Sequence, residues 1–125
     1  MTQGWKLYKN APADGTVVCD AQDVPEGTAK SVLIGQAPAQ FPILIVRREG
    51  RMHAYVNACP HQYLPLDYRA AQVLSADGRI LRCTNHHAGF CAVTGLGVEG
   101  IGIGGHLDPV PVRIDSNDLL VVDDP

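Results

Sequence analysis

The sequence predicts an all-β fold, and three observations predict it. Thirteen glycines and nine prolines in 125 residues make turns frequent. No stretch sustains apolar positions at helical spacing over several turns. Short β-prone runs are instead set off by turn residues, most plainly at residues 43–48 and 51–56, which flank Glu49-Gly50. A two-residue connection with glycine in its second position suits a tight antiparallel hairpin.

Taken in order, residues 17–19 and 32–34 are β-prone and separated by Pro25-Glu26-Gly27, where proline presets φ and glycine permits φ > 0. That pattern predicts a first hairpin. The 43–48/51–56 hairpin follows, and beyond Asn57 the regular pattern stops. A segment of turn residues, cysteines and histidines then runs to about Cys91, broken by a strand at 80–82 after the turn Asp77-Gly78. Residues 68–74 suit two turns of helix, a marginal length without tertiary support. Six glycines within residues 95–105 read as a long loop with neither regular strand nor helix. Strand character resumes at 110–114 and 119–122, joined by Asp115-Ser116-Asn117-Asp118, and these runs are expected to close the sheet.

With 46% apolar and 18% charged side chains, the chain supports one modest core, so residues 1–125 read as a single domain. A net charge of -3 lacks the basic excess of a nucleic-acid surface. The longest apolar stretch, 41–46, contains Pro42 and is far short of the ~20 residues of a membrane span, so no membrane contact is expected. No basic segment leads into an apolar one at the N-terminus, which points to the cytoplasm. In that reducing compartment Cys19, Cys59, Cys83 and Cys91 are not expected to form a disulfide framework. Residues 41–98 carry six arginines against three acids, while 99–125 carry six acids against Arg113 alone.

The chemistry lies in two short stretches that each pair a cysteine with a histidine, Cys59-Pro60-His61 and Cys83-Thr84-Asn85-His86. Two thiolates and two imidazoles from separate loops can close a tetrahedral zinc site, or hold a [2Fe-2S] cluster with two sulfurs on one iron and two nitrogens on the other. A helical zinc finger would place both histidines on one helix, whereas here each sits beside its own cysteine. The internal two-fold character suits a diiron core. Cys19 and Cys91 read as buried structural thiols, His53 and His106 as surface or satisfied histidines. Two G-x-G-x-x-G matches between Gly95 and Gly105 lack the strand before and helix after that a dinucleotide site requires.

These stretches resemble the Rieske family of [2Fe-2S] proteins, in particular the small ferredoxins that feed electrons to aromatic-ring oxygenases. Cys59-Pro60-His61 with Pro65-Leu66 resembles the family's first ligand loop, and Cys83, His86, Ala88, Phe90 and Thr94-Gly95 its second. The resemblance covers about 17–122. It implies a small antiparallel β-sandwich or barrel with a cluster-binding subdomain, about 57–92, inserted between two strands. It also implies that Cys59 and Cys83 hold an inner iron and His61 and His86 an outer one. The chain departs from the family in its 21 residues between His61 and Cys83, in Thr84 for the usual proline, in His87 for the usual glycine, and in Gly100-Ile101 for a Gly-Pro in the third loop. His87 competes for the ligand role, but Ala88 and Phe90 keep their usual offsets only from His86.

The chain is too short to add an oxygenase domain, and no flavin or nicotinamide site is credible. The resemblance therefore implies a one-electron carrier, not itself an enzyme, working between a ferredoxin reductase and a terminal ring-hydroxylating oxygenase. Two other readings stay open: a Rieske-like small subunit fixed in a larger oxidoreductase, and a structural zinc-binding interaction domain. Relatives with high potentials carry an extra cysteine in each loop and hydroxyl residues near the sulfurs. Those positions are Leu64, Asn85, Ala88 and Phe90 here, which implies a low potential. Arg69, Arg79 and Arg82 are candidates to steer docking, beside Gln62, Tyr63, Leu64, Pro65 and His87.

Overall fold

The computed structural model describes residues 4–60, 64–68, 72–84 and 88–124. The fold is all-β. Its contacts divide the chain into two compact units, one comprising residues 1–56 and 108–125 and the other Asn57–Leu107.

The first unit holds two antiparallel sheets. In one, β1 (Val17–Asp20) pairs with β10 (Leu119–Val122), which pairs with β9 (Val112–Ile114). In the other the order is β2 (Ala29–Gln36), β3 (Ala39–Arg48), β4 (Arg51–Val56) and β8 (Pro109–Val110). The β3–β4 hairpin is the one the sequence predicts, with Arg48 opposite Arg51. Glu49 and Gly50 have φ of 55° and 76°, the doubly positive pair that matches the twist of the flanking strands.

The expected hairpin between 17–19 and 32–34 does not form. β1 pairs with β10, and β2 pairs with β3 over eight positions from Ala29↔Val46 to Gln36↔Ala39. Pro25-Glu26-Gly27 serves the neighbouring hairpin instead. The Glu26 carboxylate accepts hydrogen bonds from the Glu49 N–H (2.6 Å) and the Gly50 N–H (2.8 Å), and the Gly27 N–H donates to the Arg47 carbonyl. Those two amide bonds, aided by Arg47 and Arg48, hold the Glu26 carboxyl below its ordinary pKa. The run 110–114 splits at Pro111, which has no N–H for a continuous ladder. Val110 stays with β4, and β9 turns to β10 through the Asp115 carboxylate, which accepts from the Asn117 and Leu119 N–H groups.

The core of this unit is a consecutive run, Phe41, Ile43, Leu44, Ile45 and Val46, joined by Leu120 and Val122, all essentially without exposure. Four adjacent buried residues mean that β3 is covered on both faces. The second unit enters after β4 and returns at β8, neighbouring strands of one sheet, and the Val56 N–H donates to the Asp108 carbonyl where the chain leaves and re-enters.

Candidate metal centre

The second unit is built on a three-stranded sheet, β5 (Ile80–Arg82), β6 (Gly89–Cys91) and β7 (Gly97–Glu99). β5 is the strand the sequence predicts at 80–82. Residues 68–74 differ from the helix expected of them. Residues 69–71 lie outside the described residues, and among the rest none is helical. Leu74 bridges to Leu81, the Arg82 N–H donates to the Val73 carbonyl, and the Ser75 N–H donates to the Ile80 carbonyl. Strand pairing to β5 satisfies more backbone groups than two isolated helical turns would. Part of the extra length between His61 and Cys83 is thus a hairpin arm, turned at Asp77-Gly78.

The glycine-rich stretch, expected as an irregular loop, contains β7 and the short 3-10 helix Gly100–Gly102. Glycine permits this order because other backbone comes so close. A Cβ on Gly97 would collide with the Gly102 carbonyl, and one on Gly102 would lie 3.2–3.3 Å from the Gly89 carbonyl oxygen, the Ala88 Cβ and the Phe90 ring. Gly105 approaches Pro60 in the same way, at van der Waals distance. The glycines therefore carry the third segment against both cysteine loops.

Those loops share one closure. The Cys59 N–H donates to the carbonyl of Leu64, the Cys83 N–H to that of Ala88, both five residues on and both at 2.8 Å. Each cysteine is fully buried and neither forms a disulfide. The loops are pinned together at a second point, where the Thr84 N–H (2.8 Å) and hydroxyl (2.7 Å) both donate to the Leu66 carbonyl. Thr84, in place of the family's usual proline, thus supplies two donors that proline would lack. Asn57 closes the first loop at its base: its Oδ1 accepts from the Leu66 N–H and its Nδ2 donates to Asp67.

Of the expected ligands, the structure describes Cys59 and Cys83. His61 and His86, and the competing His87, lie outside the described residues, as do Gln62, Tyr63, Asn85 and Arg69. Among the described residues no three His, Cys, Asp or Glu side chains form a metal-binding group. Two buried thiols on matched loops fit the sulfur half of an iron-sulfur site, since thiolate is the ligand such clusters take. Around them Leu66, Leu81, Ala88 and Phe90 are wholly buried and offer no side-chain hydroxyl.

Cys19 and Cys91 are half-buried rather than buried; burial, reinforced by Asp23 and Asp20, pushes the Cys19 thiol pKa up. His106 is exposed and His53 half-buried. Arg82 is engaged rather than available to a partner. Its guanidinium forks onto Glu99, Nε to Oε1 at 2.9 Å and Nη2 to Oε2 at 3.2 Å, and this holds the Glu99 carboxyl below its ordinary pKa. Arg79 is exposed. Sequence reasoning singled out Arg82 but missed its partner, because Glu99 lies in the glycine-rich segment then read as loop.

Residues 14–100 match the family model of the Rieske [2Fe-2S] domain. The chain is 29% identical over 108 residues to the ferredoxin component of the alkene monooxygenase system of Xanthobacter autotrophicus, covering 86% of this chain and 80% of that relative. Its fold is similar to the ferredoxin of carbazole 1,9a-dioxygenase from Nocardioides aromaticivorans, with a TM-score of 0.67, 18% identity, and 90% and 100% of the two chains covered. It is also similar to a chain in the complex of reduced oxygenase and oxidized ferredoxin of carbazole 1,9a-dioxygenase, with a TM-score of 0.64, 20% identity and coverage of 86% and 92%. The chain belongs to the Rieske [2Fe-2S] domain family, and its cofactor is a [2Fe-2S] cluster, which closes the zinc alternative.

Proposed function

We propose that this Rieske protein is a ferredoxin: a cytoplasmic one-electron carrier, not itself catalytic, that takes electrons from a ferredoxin reductase and delivers them to a terminal oxygenase. Its cluster ligands on this reading are Cys59, His61, Cys83 and His86, within a single domain whose cluster-binding part is about residues 57–92. The observation that carries the reading is the pair of matched loops, each closed by its cysteine's own N–H and pinned to the other at Leu66. Likeness to the alkene monooxygenase ferredoxin component favours a carrier over a fixed subunit.

The [2Fe-2S] cluster supplies one-electron chemistry, and two thiolates with two neutral imidazoles leave it less negative than four thiolates would, which favours taking up the electron. The chain's part is to bury the sulfur side and hold the loops still. Cys59 and Cys83 are sealed from solvent, so a cluster held by them would exchange electrons at an edge away from the buried cysteines, the part assigned here to His61 and His86, and donor and acceptor would compete for that one edge. With Arg82 held by Glu99, Arg79 is the described arginine best suited to steer docking.

Stopped-flow reduction of the holoprotein by a reductase, with and without saturating oxygenase, tests the reading. Oxygenase should inhibit reduction, and Arg79→Glu should slow it and flatten its salt dependence, since exposed charges act over about 10 Å at 0.1 M salt. Undiminished reduction in the presence of oxygenase would rule out the shared edge, and a protein that copurifies stoichiometrically with a large partner would favour the fixed subunit.

A further inference from the structure

We propose that Arg82 and Glu99 are positioning residues for the second cysteine loop, acting as a strap across its mouth; the proposal rests on the ligand role given above to Cys83. In the three-stranded sheet Arg82 pairs with Gly89 and Gly89 with Glu99, so the three residues form one row with glycine in the middle. The outer two strands stand two strand spacings apart, about 10 Å. Arg82 and Glu99 close that gap with the two-bond fork, which passes over Gly89.

The glycine is explained by what lies above it, chiefly the Glu99 side chain that forms one arm of the fork. Gly89 does not have the positive φ of the chain's turn glycines, so its backbone does not call for glycine. A Cβ there would lie 2.6 Å from the Glu99 Oε1 and 2.8 Å from the Glu99 Cβ, with Ile80 Cγ2 at 3.0 Å. Residue 89 is bare because the Glu99 side chain, turned across it toward Arg82, and Ile80 occupy the space above it.

The row also sits at the point where loop geometry is set. Arg82 immediately precedes Cys83, Gly89 immediately follows Ala88, and the next rung is the Cys83 N–H to Ala88 carbonyl bond that closes the loop. On the far side the β6–β7 register slips between Gly89 and Phe90, so ladder bonds alone do not fix this row. Glu99 then leads directly into the 3-10 helix whose Gly102 packs against Ala88 and Phe90. The fork thus fixes the stem of the second loop and seats the glycine-rich segment on it. Exposed ion pairs contribute little to global stability, so the strap's effect should appear locally, at the loop.

The test uses the holoprotein and compares Arg82→Gln, Glu99→Gln and Gly89→Ala with the charge swap Arg82→Glu/Glu99→Arg. Iron release to a chelator, the electron paramagnetic resonance g-values of the reduced cluster and the urea midpoint are read for each. We expect iron release about 10-fold faster in the single variants, the scale on which outer partners of metal ligands act. Their g-values should shift with little change in midpoint, and the swap should return both release and g-values toward the parent. If Gly89→Ala fails to fold, the two Gln variants, which add no atoms, carry the test. Parent-like release and g-values in both Gln variants, in a protein that Cys83→Ser strips of its cluster, would overturn the strap alone. Retention of the cluster in Cys83→Ser would overturn the ligand reading and the strap with it.

Discussion

The two units are held together by different means. In the first, ladders run for eight paired positions between β2 and β3 and six between β3 and β4, around branched and aromatic side chains. In the second, each strand is three residues long, and the buried interior mixes Leu66, Val73, Leu74, Leu81, Phe90 and Leu107 with the small side chains of alanines 58, 88 and 92 and cysteines 59 and 83. Three-residue ladders around a core diluted by small side chains bury less apolar area than the first unit's long ladders do, and apolar burial is the main favourable term in folding. What supplements it is a set of specific bonds between buried or part-buried groups: Asn57 to Leu66 and Asp67, and Thr84 to Leu66. A unit made in this way is well suited to gain its remaining stability from a ligand, because binding that occurs only in the folded state adds directly to folding free energy.

Removing the cluster should break that comparison open and give the largest effect. After iron chelation, or in Cys59→Ser, amides of the second unit such as those of Cys83 and Arg82 should exchange near unfolded rates. Those of residues 43–46 should stay protected. Hydrogen exchange with fragment or residue resolution makes the measurement. Equal loss of protection in both units would mean one cooperative structure and no division of labour.

Two substitutions sharpen the contrast with smaller effects. Ile45→Ala empties a fully buried site in the first unit and should cost about 2–5 kcal/mol, while the cluster's absorption stays as in the parent. Asn57→Ala leaves the buried Leu66 N–H without its acceptor and should cost about 1–3 kcal/mol, with the loss seen first in cluster absorbance. Trp5, the chain's one tryptophan, is buried in the first unit, so its fluorescence reports that unit while the visible bands report the other. Coincident transitions in both variants would erase the distinction.

The ease of reading each unit from sequence follows the same division. Apolar runs with turn glycines are short-range signals, so the β3–β4 turn, β4, β5 and β10 could be placed residue by residue, while β3 begins four residues earlier than its apolar run, at Ala39. The partner of β1 could not, because β10 is about a hundred residues away and nothing in either run names the other. Glu26 looked like part of a turn, and its carboxylate proved to serve a different turn, a side-chain contact that propensity does not encode. In the second unit the cysteine-histidine spacing stands out in the sequence, and the structure describes its two cysteines, buried on loops closed in the same way. The order within the glycine-rich segment was not legible, since glycine signals freedom in sequence and close approach in structure. Residue 89 shows the difference plainly: its bareness makes sense beside Glu99 and Ile80, which the sequence does not place there.

The smallest expected effect concerns His53, the histidine of the first unit, which lies on β4 opposite Val46. Burial, and then the positive charge of Arg51, hold its imidazole below the ordinary value of 6.5, against a weaker pull upward from Glu49. The unfolded chain therefore takes up this proton at a higher pH than the folded one, and stability falls as pH drops through the window just below 6.5. Below the folded value both states are protonated and the loss is complete. Because much of the ring stays in contact with solvent, the change should be smaller than that of either substitution above. The carboxyls of Asp14 and Glu26, held low by Arg113 and by the turn amides respectively, lose their contributions only at more acid pH, so measurements kept above about pH 5 leave them out, and the His53→Gln comparison separates His53 from the other histidines. Urea midpoints followed by Trp5 fluorescence should decrease modestly from pH 7.5 to 5.5 in the parent and hold nearly level in His53→Gln. An equal decrease in both proteins would show that the first unit draws its pH dependence from elsewhere, and that its stability is not as separate from the cluster-holding unit as the two cores suggest.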